Sequence, residues 1–166
     1  MKALLEYFKE NNKLQSFEKC ILHLDPINLD IHNTLILCKE YDMYEAILYI
    51  YNACLMDYST PLTNLLDILH AQLIEGDKTH KQVGYVILMY ISDCLIGNIP
   101  DTMGVIDADE VVRIQNLIFN NVFCKHSGTE NLLYQEPDYP YVKLMLRLDT
   151  REFLSLIHIS EPTRPE

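Results

Sequence analysis

Two Cys–His pairs are the first residues whose types and spacing could do chemistry. Cys20 and His23 stand three residues apart, which on a helix would offer two sides of a metal site. Cys124 and His126 form a second pair. Structural zinc needs four ligands, and neither pair belongs to a CxxC…CxxC or CxxC…HxxxH framework. The five cysteines, Cys20, Cys38, Cys54, Cys94 and Cys124, are odd in number and widely spaced. Most fall within apolar helical patterns, so they read as reduced thiols packed as small apolar groups and not as a disulfide framework. A nucleophilic thiol would need an activating turn or helix start beside a base, and no such signature occurs among the six histidines. No metal and no other cofactor is expected.

Three carboxylate pairs share one spacing: Asp42 with Glu45, Asp107 with Glu110, and Asp149 with Glu152. Paired carboxylates can do acid–base work. Here each pair opens an apolar helical stripe, so capping of a helix start is the stronger reading. The sequence holds no GxxxxGK[ST], no GxGxxG and no GxSxG. The eleven tyrosines raise a binding question instead. Tyr44 and Tyr51 fall on an inward stripe, while Tyr49 and Tyr58 are expected to be partly exposed. Tyr134, Tyr139 and Tyr141 surround Pro137 and Pro140 in YQEPDYPY, which is the candidate partner contact because aromatic anchors are favoured at interfaces. Packing beneath the adjoining loop is the other reading of those three rings.

Helices must position these residues. Tyr44, Ile47, Leu48, Tyr51 and Leu55 recur at helical spacing after Asp42, which is read as the cap. Ile31, Leu35 and Cys38 mark a helix that opens after Asp25-Pro26. Ser16 is read as the cap of a helix carrying Phe17, Cys20, Ile21 and Leu24. Thr60-Pro61 starts a helix with Leu62, Leu65, Leu66, Leu69 and Leu73 on one face, and Gly76 ends it. A helix from about Thr79 to Ile96 buries Val83, Val86, Ile87, Tyr90 and Cys94. After the loop GNIPDTMGVIDADE, Val111, Ile114, Ile118 and Val122 face inward. After the loop KHSGTENLLYQEPD, Pro140 starts a short helix with Val142, Met145 and Leu146, and Asp149 opens another.

About eight helices result, mostly in antiparallel pairs with short turns. None buries its whole apolar face within one pair, so stacked pairs are expected: an all-α fold, an α-solenoid of antiparallel helix pairs. A compact bundle is the second choice, because no fixed repeat period is visible. Composition agrees, with 166 residues, a 49% hydrophobic fraction and only 5 glycines. A formal charge of −11 disfavours nucleic acid and direct docking on an anionic membrane, and suits basic partners. The longest apolar run, GYVILMYI, is too short to span a membrane, and MKALLEYFKENNK is not a leader.

The stretch SLIHISEPTRPE breaks this pattern. It resembles translated sequencing-adapter sequence, so residues 1–154 are read as the solenoid and residues 155–166 as a non-native tail. The native sequence is expected to end near Phe153 or Leu154.

With the helix pairs in place, LCKEYDMYEAILYIYN, DYSTPLTNLLDIL, GYVILMYISDCLIGNIP and YPYVKLMLRLDTREFL together resemble the vacuolar protein sorting-associated protein 8 family. The likeness spans roughly residues 20–154; YEAILYIYN alone is also similar to other clathrin-type helical repeats. The resemblance implies the middle of a long α-solenoid in a subunit of CORVET, an endosomal vesicle tether. In that family a β-propeller precedes the solenoid and a RING-type zinc domain follows it. It further implies class C core subunits as partners and, for a full-length protein, an endosomal Rab GTPase. It implies a cytoplasmic location, peripheral on endosomal membranes, in transport to the vacuole or lysosome, with no catalytic residues. A free-standing helical module that holds basic peptides is the competing expectation, and a Cys–His enzyme the third.

Overall fold

The computed structural model describes residues 2–11, 13–76, 80–99, 106–125 and 138–160. Eight α-helices lie among them: α1 (Lys2–Glu10), α2 (Leu14–Leu22), α3 (Ile31–Glu40), α4 (Tyr44–Tyr49), α5 (Thr60–Glu75), α6 (His80–Leu95), α7 (Ala108–Val122) and α8 (Pro140–Ser160). A 3₁₀ turn, Pro26–Asn28, precedes α3, and a π turn, Ile50–Cys54, continues α4. No strand occurs among the described residues.

Consecutive helices pair as α1 with α2, α3 with α4, and α5 with α6. The even-numbered helices then form a continuous layer, α2 against α4, α4 against α6, and α6 against α8. This is an α-solenoid: each pair leaves an apolar face that only the next pair covers. The fourth step differs. Both α7 and α8 pack on α6, and α8 also reaches α5.

Local sequence explains most boundaries. Leu62, Leu65, Leu66 and Leu69 of α5 are at most 1% exposed, as the leucine spacing requires. Gly76 closes α5 in the left-handed region at φ 72°, where a side chain would be strained. In α6, Val83, Ile87, Tyr90 and Cys94 are buried, and in α7 Ile114, Ile118 and Val122 are buried. Asp107 caps α7, its Oδ1 accepting from the Glu110 amide at 2.7 Å. Asp149 breaks α8 at φ −156°, and its Oδ1 accepts from the Glu152 amide at 3.0 Å to restart the helix. The second half runs on through Ser160 and buries Leu156. Residues 161–166, Thr79 and the centres of both long loops lie outside the described residues.

Four expected details are corrected. Ser16 lies inside α2, which starts at Leu14 because Leu14 extends the apolar row of Phe17 and Ile21; Cys20 is exposed. The Asp25-Pro26 start gives the 3₁₀ turn, and the helix proper is capped by Asp30, whose Oδ1 accepts from the Asn33 amide at 3.2 Å. Ser59, not Thr60, precedes α5, and Asp57 Oδ1 accepts from the amides of both Ser59 and Thr60 at 3.0 Å. Asp42 does not cap α4. It sits at φ 54°, just past the end of α3, and the Met43 amide donates to the Cys38 carbonyl at 2.9 Å. That bond is the six-to-one closure of a helix C-terminus, with buried Met43 supplying its apolar contact.

Gly84 sits at the α6–α8 crossing under the end of the Leu148 side chain. A Cβ on Gly84 would overlap both methyl groups of Leu148. We expect Gly84→Val to destabilise the chain by about 1–3 kcal/mol in urea unfolding, through overpacking. Adding Leu148→Ala in the same chain should recover a large part of that loss.

Candidate functional site

Residues that could carry chemistry are dispersed. Cys20 is exposed on α2, and His23 is the residue at that helix's C-terminal cap. Cys124 is half-buried, and His126 lies outside the described residues. Among the described residues no group of three or more His, Cys, Asp or Glu is placed to hold a metal ion. Cys38 and Cys94 are buried in the core, and burial pushes each thiol up to about 12. The charge of Glu18 adds to the shift at Cys38. A thiol held that far above neutral pH is not a nucleophile.

The tyrosines divide. Tyr139 is 47% exposed and stands in the left-handed region at φ 56°, its amide donating to the Lys125 carbonyl at 3.0 Å. Tyr141 is buried, and its hydroxyl donates to Asp67 Oδ1 on α5 at 3.4 Å. Tyr134 lies outside the described residues. Tyr49 and Tyr58, expected to be partly exposed, are buried at 8% and 6% exposure. The Tyr49 hydroxyl donates to the Leu24 carbonyl at 2.7 Å, which anchors the end of α2 to α4. Tyr58 gives its carbonyl to Tyr90, whose hydroxyl stands 3.1 Å away in the core.

A cleft of about 320 Å³ lies between α2, α4 and α6. Glu18 and Lys19 come from α2, Tyr44 and Glu45 from α4, and Gln82 and Val86 from α6. Glu18 is the unexpected residue. Its Oε1 accepts from the amides of Glu45 at 3.0 Å and Ala46 at 3.2 Å, so a side chain of α2 caps α4. The cap follows from the turn before it: Asp42 is committed to closing α3 and accepts from the Tyr44 hydroxyl at 3.0 Å. The first amides of α4 therefore need an acceptor from elsewhere. Burial raises the Glu18 carboxyl above its usual range, and the neighbouring charge of Glu45 adds to that, against the two backbone bonds. Among the described residues no ion pair joins Lys19 to either carboxylate. No local signal in α2 marks Glu18 for this role, because its partners are 27 and 28 residues away.

Glu18→Ala should cost about 1 kcal/mol at pH 7, the usual worth of a helix cap. Glu18→Gln keeps an acceptor without a buried charge, so it should match or exceed the parent in thermal melts. The native carboxyl titrates above its unfolded value of about 4.3, so its protonated form contributes stability that is lost as pH rises through the native value. Any advantage of Glu18→Gln should accordingly shrink as pH falls towards 4. In native thiol labelling at pH 8, Cys20 should react at least about tenfold faster than Cys38 or Cys94, by mass spectrometry of the labelled peptides.

Comparison with known proteins agrees with this architecture. The family model described as Vps8 central TPR matches residues 1–160. The chain is 33% identical over 163 residues to the vacuolar protein sorting-associated protein 8 homolog of Mus musculus, covering 96% of this chain and 11% of that protein. It is 32% identical to the Homo sapiens homolog over the same shares. It is 25% identical to vacuolar protein sorting-associated protein 8 of Saccharomyces cerevisiae over 174 residues, 95% of this chain and 14% of that protein. The chain therefore spans little more than a tenth of the length of these relatives. No solved structure matches it. Helix pairing, the absence of strands among the described residues and a match along nearly the whole sequence place this chain in the Vps8 central TPR family.

Proposed function

We propose that this chain is a non-catalytic scaffold segment of a vacuolar protein-sorting subunit that acts in an endosomal vesicle-tethering complex. The single observation that carries this is the family match over residues 1–160, on a fold whose stacked pairs suit a strut. The mechanism is spatial. Rigid pairs hold binding elements at fixed separations while vesicle and target membranes are bridged. The partners are class C core subunits of the CORVET complex and, for the longer protein, an endosomal Rab GTPase. Among the described residues no helix is long and apolar enough to cross a membrane, and the location proposed with the tether is cytoplasmic, peripheral on endosomes. The net charge of −11 supports protein partners over nucleic acid. Tyr139, half exposed beside α8, remains available as a partner contact, with Tyr134 and Tyr141 its neighbours in sequence.

The cleft at Glu18 and Glu45 supports a second reading, a free-standing helical module that holds a basic peptide. Affinity purification of the tagged full-length protein distinguishes the two. Class C core subunits should co-purify in stoichiometric amounts, and the tag should sit on endosomes. Recovery as an independent polypeptide with short basic ligands, lost in Glu45→Gln, would overturn the tether reading in favour of the module.

A further inference from the structure

The π turn Ile50–Cys54 conflicts with the sequence pattern that leads into it. At α-helical spacing, Tyr44, Ile47, Leu48, Tyr51 and Leu55 share one face. In the structure Leu55 is 47% exposed while Asn52 is 1% exposed. The π turn holds one residue more than an α turn, and this surplus rotates everything after it. A leucine has left the core and an amide has entered it.

The amide is poorly served there. Asn52 Oδ1 faces the Tyr90 hydroxyl at 3.0 Å, but Asn52 Nδ2 is buried without a partner. Tyr90 has one proton, and the Tyr58 carbonyl at 3.1 Å competes for it. An incompletely bonded amide in a core is unfavourable. The strain continues past the turn. Met56 takes up the surplus at φ 52°, a region rarely occupied by such a residue, with its side chain 77% exposed. The Tyr51 carbonyl takes two bonds beyond the turn. It accepts the α-type bond from the Leu55 amide and a longer-range bond from the Asp57 amide at 3.1 Å.

We propose that Ile50–Cys54 is a joint with two registers, the π register described here and an α register in which Leu55 turns inward and Asn52 turns out. In the second register the surplus residue passes into the connection before α5. That connection carries Asp57, whose carboxylate caps α5 through Ser59 and Thr60, so a change of winding resets the junction between pair α3/α4 and pair α5/α6. The proposal rests on the scaffold reading for its purpose: a strut that bends at one defined repeat junction. Its physics does not depend on that reading.

NMR relaxation dispersion on the 166-residue chain tests it. Backbone amides from Ile50 to Asp57, the Asn52 side-chain amide and Tyr90 should share one exchange process on the microsecond-to-millisecond scale. Amides in the middle of α5 should be flat. Asn52→Leu fills the buried position with an apolar group and should abolish the exchange. Flat curves in the parent or persistence of the exchange in Asn52→Leu would each overturn the proposal. No partner enters the measurement, so the joint can fail while the tethering assignment stands, and the reverse.

Discussion

Burial of α4 on almost every side is the constraint on which the other contacts depend. From Tyr44 to Ile50 only Glu45 reaches solvent. Five side chains of α4, and Ile50 at the start of the π turn, are removed from water, each worth about 1.5–3 kcal/mol for a large apolar group and less for alanine. That gain requires neighbours in several directions, and α2, α3, α5 and α6 supply them. A helix so enclosed cannot rely on water for its terminal backbone groups. Its polar ends must be answered from within the protein. Glu18 answers the first amides, and the six-to-one closure of α3 fixes the entry. The Tyr49 hydroxyl ties α4 to the end of α2. These bonds between pairs are consequences of enclosing α4, and they set the positions of its neighbours.

The same constraint decides what could be read in advance. Stripes on α5, α6 and α7 were legible because each has one covered face, and one covered face writes a period of 3.6 residues into the sequence. The leucines of α5 and the row Val83, Ile87, Tyr90 and Cys94 follow that rule. Caps that act locally were legible too, as Asp107 and Asp149 show. Asp42 misled because its spacing to Glu45 suits a helix start as well as it suits the position after a helix end. With three residues separating α3 from α4, one carboxylate could serve only one of them. Tyr49 misled because periodicity assumes an exposed side, and at α4 there is hardly one; Tyr58 lies in the connection before α5, where no helical period applies. Asn52 and Leu55 exchanged environments because a π turn adds a residue that no local pattern announces. Glu18 could not be found at all, since its partners are distant in sequence.

Side chains with chemical potential are mostly committed to holding backbone. Asp30, Asp57, Asp107 and Asp149 each accept from amides at a helix start. Glu110 forks to Arg113 on the exposed side of α7. The buried thiols Cys38 and Cys94 fill small core positions. Hydroxyls of Tyr44, Tyr49, Tyr90 and Tyr141 each cross from one helix to another segment. Polar groups distributed in this way specify how helices sit against each other. They suit a molecule whose output is a shape.

The missing sequence period has the same origin. A solenoid of identical units would repeat its contacts, and its sequence would repeat with them. Here every junction in the even-numbered layer has a different solution. A carboxylate from α2 caps α4; a buried amide and two tyrosines join the π turn, α6 and the start of α5; a glycine lets α8 close on α6. Helix lengths vary from 6 to 21 residues accordingly. Stacking constrains only that each apolar face be covered, and it leaves the means open. Substitutions at one junction then need no matching change at the next, so the architecture persists while its period disappears. The likeness to relatives accordingly covers 95–96% of the chain at 25–33% identity and is not confined to one repeated unit.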